Sequence, residues 1–259
     1  MENIFVIDIG NTNTVCGLYS DGDLVNSFRL SSDRDRTTDE YYVLFKSLNS
    51  EHKIDYIAVS SVVPIIGRTI ESVILRYYNV PYIFVNGNTP LGIKYNMSDA
   101  SFIGADLVVN AYAAWQKYQT NCIICDLGTA TTIQLIGEDG SFYGTSIMPG
   151  LTTAAYNLFE KAALLTKIQL EAPVDLLGLN TKDALLTGII RGHAYSIDGF
   201  VKRIKEQFNK LGSFTTIATG GISNLVAEQS ENIDVIDKTL TLDGLYFISI
   251  KLLVTSSNS

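Results

Sequence analysis

Short apolar runs rich in β-branched residues alternate with polar turns through the first third of the chain, and they predict strands before helices. Ile4-Phe5-Val6-Ile7 is the first such run, and three strands are expected within residues 1–30. Thr37-Thr38-Asp39-Glu40 then precedes Tyr41-Tyr42-Val43-Leu44-Phe45. That is the pattern of a capped helix start, with acidic residues in its first turn favouring the helix dipole. The run Tyr56-Ile57-Ala58-Val59-Ser60-Ser61-Val62-Val63 reads as a buried strand that stops before Pro64. Residues 66–78 read as a helix and Tyr82-Ile83-Phe84-Val85 as a strand. Further helices are expected over 103–119 and, after the turn Pro149-Gly150, over 151–164. Residues 183–211 form a long helical stretch that contains Gly188 and Gly192. Glycine weakens a helix interior, so a bend or close packing is expected there. Thr215-Thr216-Ile217-Ala218-Thr219 is a strand ending in Gly220-Gly221. A helix from about Ser223, a last helix over 242–254 and a frayed polar tail over 255–259 complete the chain. Strands followed by strand–helix alternation indicate an α/β layer.

One segment of this pattern occurs twice. Asp8-Ile9-Gly10-Asn11-Thr12-Asn13-Thr14 follows the first apolar run, and Asp126-Leu127-Gly128-Thr129-Ala130-Thr131-Thr132 follows Cys122-Ile123-Ile124-Cys125. At a shift of 118 residues Gly10 falls on Gly128, Thr14 on Thr132, and Asp21-Gly22 on Asp139-Gly140. A repeat this long is a duplicated domain, since solenoid periods are much shorter. Each copy reads as strand, turn, strand, Asp-Gly hairpin, strand. Gly10 and Gly128 let backbone approach a ligand closely, and successive N–H groups and hydroxyls can cradle phosphate oxygens. The phosphate-binding candidates are therefore Gly10, Asn11, Thr12, Asn13 and Thr14 in the first loop, and Gly128, Thr129 and Thr131 in the second. Asp8 and Asp126 stand beside those phosphates, which requires a cation or a water between them. Gly220 and Gly221, also placed after a strand, offer a third approach point on the nucleoside side. Two phosphate loops from duplicated halves suit a nucleoside triphosphate in a cleft, with domain closure on ligand.

Composition narrows the partners. The chain has 259 residues, a net charge of −8 and no Lys/Arg cluster, which argues against a nucleic-acid surface. No apolar run reaches the roughly 18 residues of a membrane span, and the N-terminus shows no secretory pattern. Three cysteines, Cys16, Cys122 and Cys125, without an export signal suggest a reducing compartment. Cys122-x-x-Cys125 sits in an apolar strand, where residues three apart face opposite ways, so neither a redox nor a zinc role is expected. The only histidines, His52 and His193, have no partner at ligand spacing.

Phosphoryl transfer needs positioning, charge neutralisation and a base for the attacking hydroxyl. Asp106 is the leading candidate base, at an expected helix start behind Gly104-Ala105. The residues alone leave a second reading open, in which Asp106 only complements the helix dipole.

Asp8-x-Gly-Asn-Thr-Asn-Thr, Gly104-Ala105-Asp106, Asp126-x-Gly-Thr-Ala-Thr-Thr, Pro149-Gly150, Asn180-Thr181, Thr187-Gly188-Ile189 and Thr219-Gly220-Gly221 occur in one order. Together they resemble type III pantothenate kinase, from the N-terminus to about Leu245. The resemblance implies an α/β fold of two duplicated ribonuclease-H-like domains of the acetate kinase/Hsp70/actin type, with a cleft between them. The domain boundaries expected are 1–115 and 116–259. It implies transfer of the ATP γ-phosphoryl group to pantothenate, the first step of coenzyme A synthesis, in a cytoplasmic homodimer that uses Mg²⁺ and a monovalent cation (K⁺ or NH₄⁺). No nucleic acid or membrane partner is implied. By the same resemblance Asp8 places the metal–ATP complex, Asn11 and Thr12 lie near the phosphates, and Thr129 contacts phosphate. Asp126 helps bind the monovalent cation, and Asp106 is the general base. Tyr95, Gly104 and Thr187 line the pantothenate pocket, with Ala105 and Leu107 beside them.

The chain departs from the family at informative places. Leu107 stands where the family carries Arg. Loss of such a charge-assisted contact costs about 1.5–3 kcal/mol, or roughly ten- to a hundredfold in binding. Asn96-Met97-Ser98 replaces the usual Asp-Asn-Pro after Tyr95, and Arg191-Gly192-His193 stands where aromatic residues are more usual. Arg191 or Lys94 is a candidate to restore the missing charge. A non-catalytic regulatory relative, or a kinase with a changed acceptor, is the alternative.

Overall fold

The computed structural model describes residues 3–49, 52–96, 99–100, 103–162 and 167–257, and these fall into two compact units. The first comprises residues 1–116 and 240–259, and the second 117–239.

In the first unit, β1 (Asn3–Ile9), β2 (Asn13–Ser20) and β3 (Asp23–Ser31) form an antiparallel meander. β4 (Tyr56–Ser61) pairs in parallel with β1, and β5 (Tyr82–Phe84) with β4, giving the order β3-β2-β1-β4-β5. α1 (Thr38–Leu48) begins as expected, with Thr37 and Glu40 bonded reciprocally in a capping box. α2 (Pro64–Val73) takes Pro64 in its first turn, where a missing N–H costs nothing, and runs into one turn of π-helix at Ile74–Tyr78. Phe5, Ile7 and Ile9 of β1 meet Tyr41 and Phe45 of α1 and Ile66 and Ile70 of α2 in one core. A short strand β6 (Lys94–Tyr95) precedes α3 (Ala105–Tyr118).

The second unit repeats the plan. β7 (Asn121–Leu127), β8 (Ala130–Ile136) and β9 (Ser141–Pro149) are the meander. β10 (Phe214–Thr219) pairs in parallel with β7, and β11 (Val235–Ile236) with β10. Its helices are α4 (Leu151–Lys161), α5 (Thr181–Leu186), α6 (Gly192–Gln207) and α7 (Ser223–Ala227). Ile123, Cys125, Leu127 and Ile133 of the sheet pack with Leu186, Ile190, Ala194 and Ile197. Cys122 and Cys125 are both buried and unbridged, and burial pushes each thiol up to about 12. That agrees with their expected lack of redox chemistry.

Three expectations change. The last helix, α8 (Leu240–Ser257), belongs to the first unit rather than to the second half, and it extends through part of the tail expected to fray. It lies on β1 and β4, and it crosses α3 so closely that a Cβ on Gly244 would sit 2.7 Å from the Val109 carbonyl oxygen. Thr241 also donates to the Asn110 side chain at 2.7 Å. The glycine-containing stretch 183–211 is not one α-helix: a π turn at Thr187–Arg191 separates α5 from α6. Side chains added at Gly188 or Gly192 would meet open space among the described residues, so close packing is not the reason for these glycines. The helix expected over 151–164 ends at Lys161, where Ala162 turns to extended backbone and donates its N–H to the Leu158 carbonyl; residues 163–166 lie outside the described set, as do Met97, Ser98, Asn258 and Ser259.

Candidate active site

Both phosphate-loop candidates sit at the carboxyl ends of central strands, where α/β sheets place ligands. Asp8 is the penultimate residue of β1, and Asp126 the penultimate residue of β7. Thr219 lies opposite Asp126 in the parallel β10–β7 ladder, which brings Gly220 and Gly221 beside the second loop. Gly220 has φ +94°, and a Cβ there would lie 2.6 Å from the Leu127 carbonyl oxygen. Only glycine meets both demands.

Register corrects the repeat. β1 and β7 match at a shift of 118, and so do β3 and β9. Between them, Ile9 pairs with Thr14, whereas Leu127 pairs with Thr131. Thr14 therefore corresponds to Thr131, not to Thr132. The second loop is one residue shorter, and the second hairpin turn one residue longer. The compensation preserves the alternation of β2 and β8, since a one-residue slip would turn every side chain to the wrong face.

That alternation turns two candidate residues inward. Thr14 and Thr131 are fully buried. Thr14 Oγ1 is 3.0 Å from Ser32 Oγ, and Ser32 donates on to the Gly10 carbonyl at 2.6 Å. Ser32 N–H also donates to the Thr12 carbonyl at 3.0 Å. Ser32 thus clasps the first loop from behind. Position 150 matches Ser32 in the repeat, and Gly150 N–H donates to the Thr129 carbonyl at 3.1 Å. The shorter loop leaves no room for a side chain here. A Cβ on Gly150 would collide with the Gly128 carbonyl oxygen and lie 2.6 Å from that of Thr129. Thr153, one turn into α4, supplies the hydroxyl instead and donates to Thr129 O at 2.7 Å. Asn11, Thr12, Gly128 and Thr129 remain exposed. Ser32 and Thr153 were not among the sequence candidates; extending the repeat to positions 32 and 150 is the signal that finds the clasp.

Asp106 lies in the first turn of α3. Its Oδ1 accepts the Leu107 N–H at 2.8 Å. A Cβ on Gly104 would lie 2.5 Å from the same oxygen, so glycine there makes room for the carboxylate. Burial raises the Asp106 pKa above the usual carboxylate value, and backbone N–H bonds offset part of that rise. A desolvated carboxylate with few donors is a stronger base than an exposed one. Leu107 is 7% exposed and offers only apolar surface. Tyr95 is half-buried, and burial pushes its hydroxyl up to about 12.

The π turn carries the remaining candidates. Thr187 donates its hydroxyl to the Asp175 carbonyl at 2.8 Å. Arg191 donates from Nε to Gln229 Oε1 at 2.9 Å and reaches the Pro173 carbonyl at 3.4 Å. Arg191 is thus a clamp between two chain segments. His193 is buried, which lowers its pKa, and its Nε2 lies 2.9 Å from Thr131 Oγ1.

Among the described residues no three His, Cys, Asp or Glu side chains cluster to hold a metal. A nucleotide-borne Mg²⁺ needs no such cluster, because phosphates and waters supply most of its ligands and one or two carboxylates suffice. Asp8, next to the exposed Asn11 and Thr12, fits that requirement. No described helix is long and apolar enough to cross a membrane.

Comparison with known proteins bears on family and fold. The family model described as type III pantothenate kinase matches residues 4–203. A type III pantothenate kinase of an Exiguobacterium species is 40% identical over 250 residues, covering 95% of this chain and 97% of its own. That of Bacillus cytotoxicus is 38% identical over 250 residues, covering 95% of each chain. Among solved structures, a Baf family protein from Campylobacter jejuni superposes with a TM-score of 0.61 at 20% identity, covering 95% of this chain and 98% of its own. MreB 5 of Spiroplasma citri bound to AMPPNP gives 0.55 at 10% identity, covering 100% and 99%. At those identities the structures speak to the fold alone, the duplicated ribonuclease-H-like α/β fold.

Proposed function

We propose roles for individual residues from one premise: the chain belongs to the type III pantothenate kinase family. It is a kinase that phosphorylates pantothenate in coenzyme A synthesis, with ATP as co-substrate.

In this reading each phosphate loop receives phosphate oxygens on its exposed backbone N–H groups, helped by Asn11, Thr12 and Thr129. Gly220 and Gly221 admit the nucleoside. Asp8 would hold Mg²⁺ with the nucleotide and Asp126 a monovalent cation, which would supply neutralisation of phosphate charge beside the carboxylates. Asp106 accepts the proton of the pantothenate hydroxyl. That oxygen bonds to the γ-phosphorus as the bond from the γ-phosphorus to the β–γ bridging oxygen breaks, and ADP leaves. Tyr95, Gly104, Ala105 and Leu107 contact the acceptor, and Thr187 accepts from it through its oxygen lone pairs. The observation that carries the reading is the half-buried Asp106 carboxylate, its pKa raised by desolvation, at the start of α3.

The acceptor carboxylate needs a cation, which Leu107 does not supply and Arg191 spends on Gln229 and Pro173. Lys94 takes that role in this proposal. The test is ADP release with ATP, Mg²⁺ and K⁺, with and without pantothenate, for the parent protein and Lys94→Ala. Pantothenate-dependent release is expected, with the pantothenate KM raised roughly tenfold or more in the variant. An unchanged KM would remove Lys94 from the site. Absence of turnover with ATP still bound would favour the second reading, a changed acceptor, for which the Leu107 substitution is the motive.

A homodimer and a cytoplasmic location belong to the same proposal. Val174, Leu176, Leu177 and Leu179 stand 84%, 59%, 80% and 98% exposed in one short segment, an apolar surface that a second copy would cover. Leu177→Asp is expected to shift light-scattering mass toward the monomer. A parent protein that is already monomeric at micromolar concentration would end the dimer proposal. Three buried, unbridged thiols suit a reducing compartment.

A further inference from the structure

The buried pair His193–Thr131 has no part in the roles above. Thr131 is the first buried position of β8 after the second loop, two residues beyond Thr129. His193 is the second residue of α6, directly after the π turn that bears Thr187 and Arg191. Their contact, 2.9 Å between Nε2 and Oγ1, joins residues 62 positions apart. The matching position in the first unit, Thr14, is held by the Ser32 hydroxyl, which also bonds the Gly10 carbonyl. The second unit cannot copy this, because position 150 must be glycine. Support for Thr131 therefore comes from α6, and it comes from an imidazole ring, which is stiffer than a serine side chain. A buried hydroxyl without its partner is costly, so the pair pins the start of β8.

We propose that His193 is a positioning residue for ATP: through Thr131 it fixes the backbone of the second phosphate loop, residues 128–130, against α6. The inference rests on the reading of that loop as a phosphate site.

The test uses the full-length enzyme in steady-state kinetics with both substrates varied. Thr131→Val and His193→Leu are each expected to raise the ATP KM roughly tenfold, while the pantothenate KM changes by less than about twofold. Thr131→Ser, which keeps the hydroxyl, is expected to behave like the parent. The double variant is expected to be no worse than either single one, because it strands no polar group. A lowered melting temperature with the ATP KM unchanged would make the pair merely structural and overturn the proposal. Equal rises in both KM values would overturn it too. Should His193→Leu fail to fold, Thr131→Val against Thr131→Ser decides the question. Thr129→Ala separates the two levels. If it leaves the ATP KM unchanged, the phosphate-loop reading itself fails. If it raises the KM while the His193 and Thr131 variants do not, only the positioning role fails.

Discussion

Asp106→Asn is expected to lower pantothenate-dependent turnover by about 10²–10⁴-fold, the usual contribution of a general base. Asparagine keeps the shape and can still accept the Leu107 N–H through its amide oxygen. What it lacks is the capacity to take a proton. The same substitution is expected to stabilise the fold at neutral pH. Burial raises the folded pKa of Asp106 above its unfolded value. Such a group contributes stability that is fully present below the unfolded pKa and lost as pH rises through the folded pKa. At pH 7 the parent carries the cost of a partly desolvated anion, and the variant does not. The melting temperature of Asp106→Asn should therefore exceed that of the parent at pH 7, and the gap should close as pH falls through the raised pKa. In the parent, kcat/KM should decline on the acid side at a higher pH than an ordinary carboxylate would give. Turnover retained in the variant would remove Asp106 as the base. A melting temperature that is lower at pH 7 would contradict the desolvation on which its basicity rests.

Gly150→Ala carries the second large effect. The added methyl would overlap the Gly128 carbonyl and crowd that of Thr129, both backbone atoms of the second phosphate loop. A side chain could rotate away, but these atoms are held by the Gly150 N–H and the Thr153 hydroxyl, which converge on Thr129 O. The loop must move, and a displacement of about 1 Å costs about a hundredfold in a positioned reaction. A loss of about that size in kcat/KM for ATP is expected, with about 1–3 kcal/mol of overpacking seen as a lower melting temperature. Position 32, its counterpart, already carries a side chain, so this intolerance belongs to the shorter loop. Wild-type ATP kinetics in Gly150→Ala would show that the second loop does not depend on this approach.

Much of this protein could be read before any coordinates. β-Branched runs, Asp-Gly turns and the Thr37–Glu40 box act within a few residues of themselves, so β1 to β5 and the start of α1 follow from local chemistry; α2 begins at Pro64, two residues before the start its apolar pattern indicated. The duplication was also visible, because two copies of one strand–loop–strand unit carry the same apolar and glycine spacing. Asp8, Asp126, Gly10, Gly128 and Asp106 could be named for the same reason: each occupies a fixed place relative to a strand end or a helix start.

Other features depended on which distant segments meet. No local pattern shows that the second loop is a residue shorter, because the compensating residue lies in the next turn; only strand register reveals that Thr14 answers to Thr131. Ser32 and Thr153 hold their loops across 22 and 24 residues, and His193 reaches Thr131 across 62. Arg191, read from sequence as either a substrate contact or a surface residue, became a clamp once chain folding brought Gln229 and Pro173 to it. α8 joined the first unit because Gly244 lets it cross α3 closely, a fit set by two helix surfaces far apart in the chain. The sequence by itself determined the elements, the repeat and the chemistry each loop offers, since these rest on backbone preferences of neighbouring residues. Tertiary structure alone decided which side chains hold those loops in shape, since hydrogen bonds and close approaches between distant segments exist only once the strands have found their register.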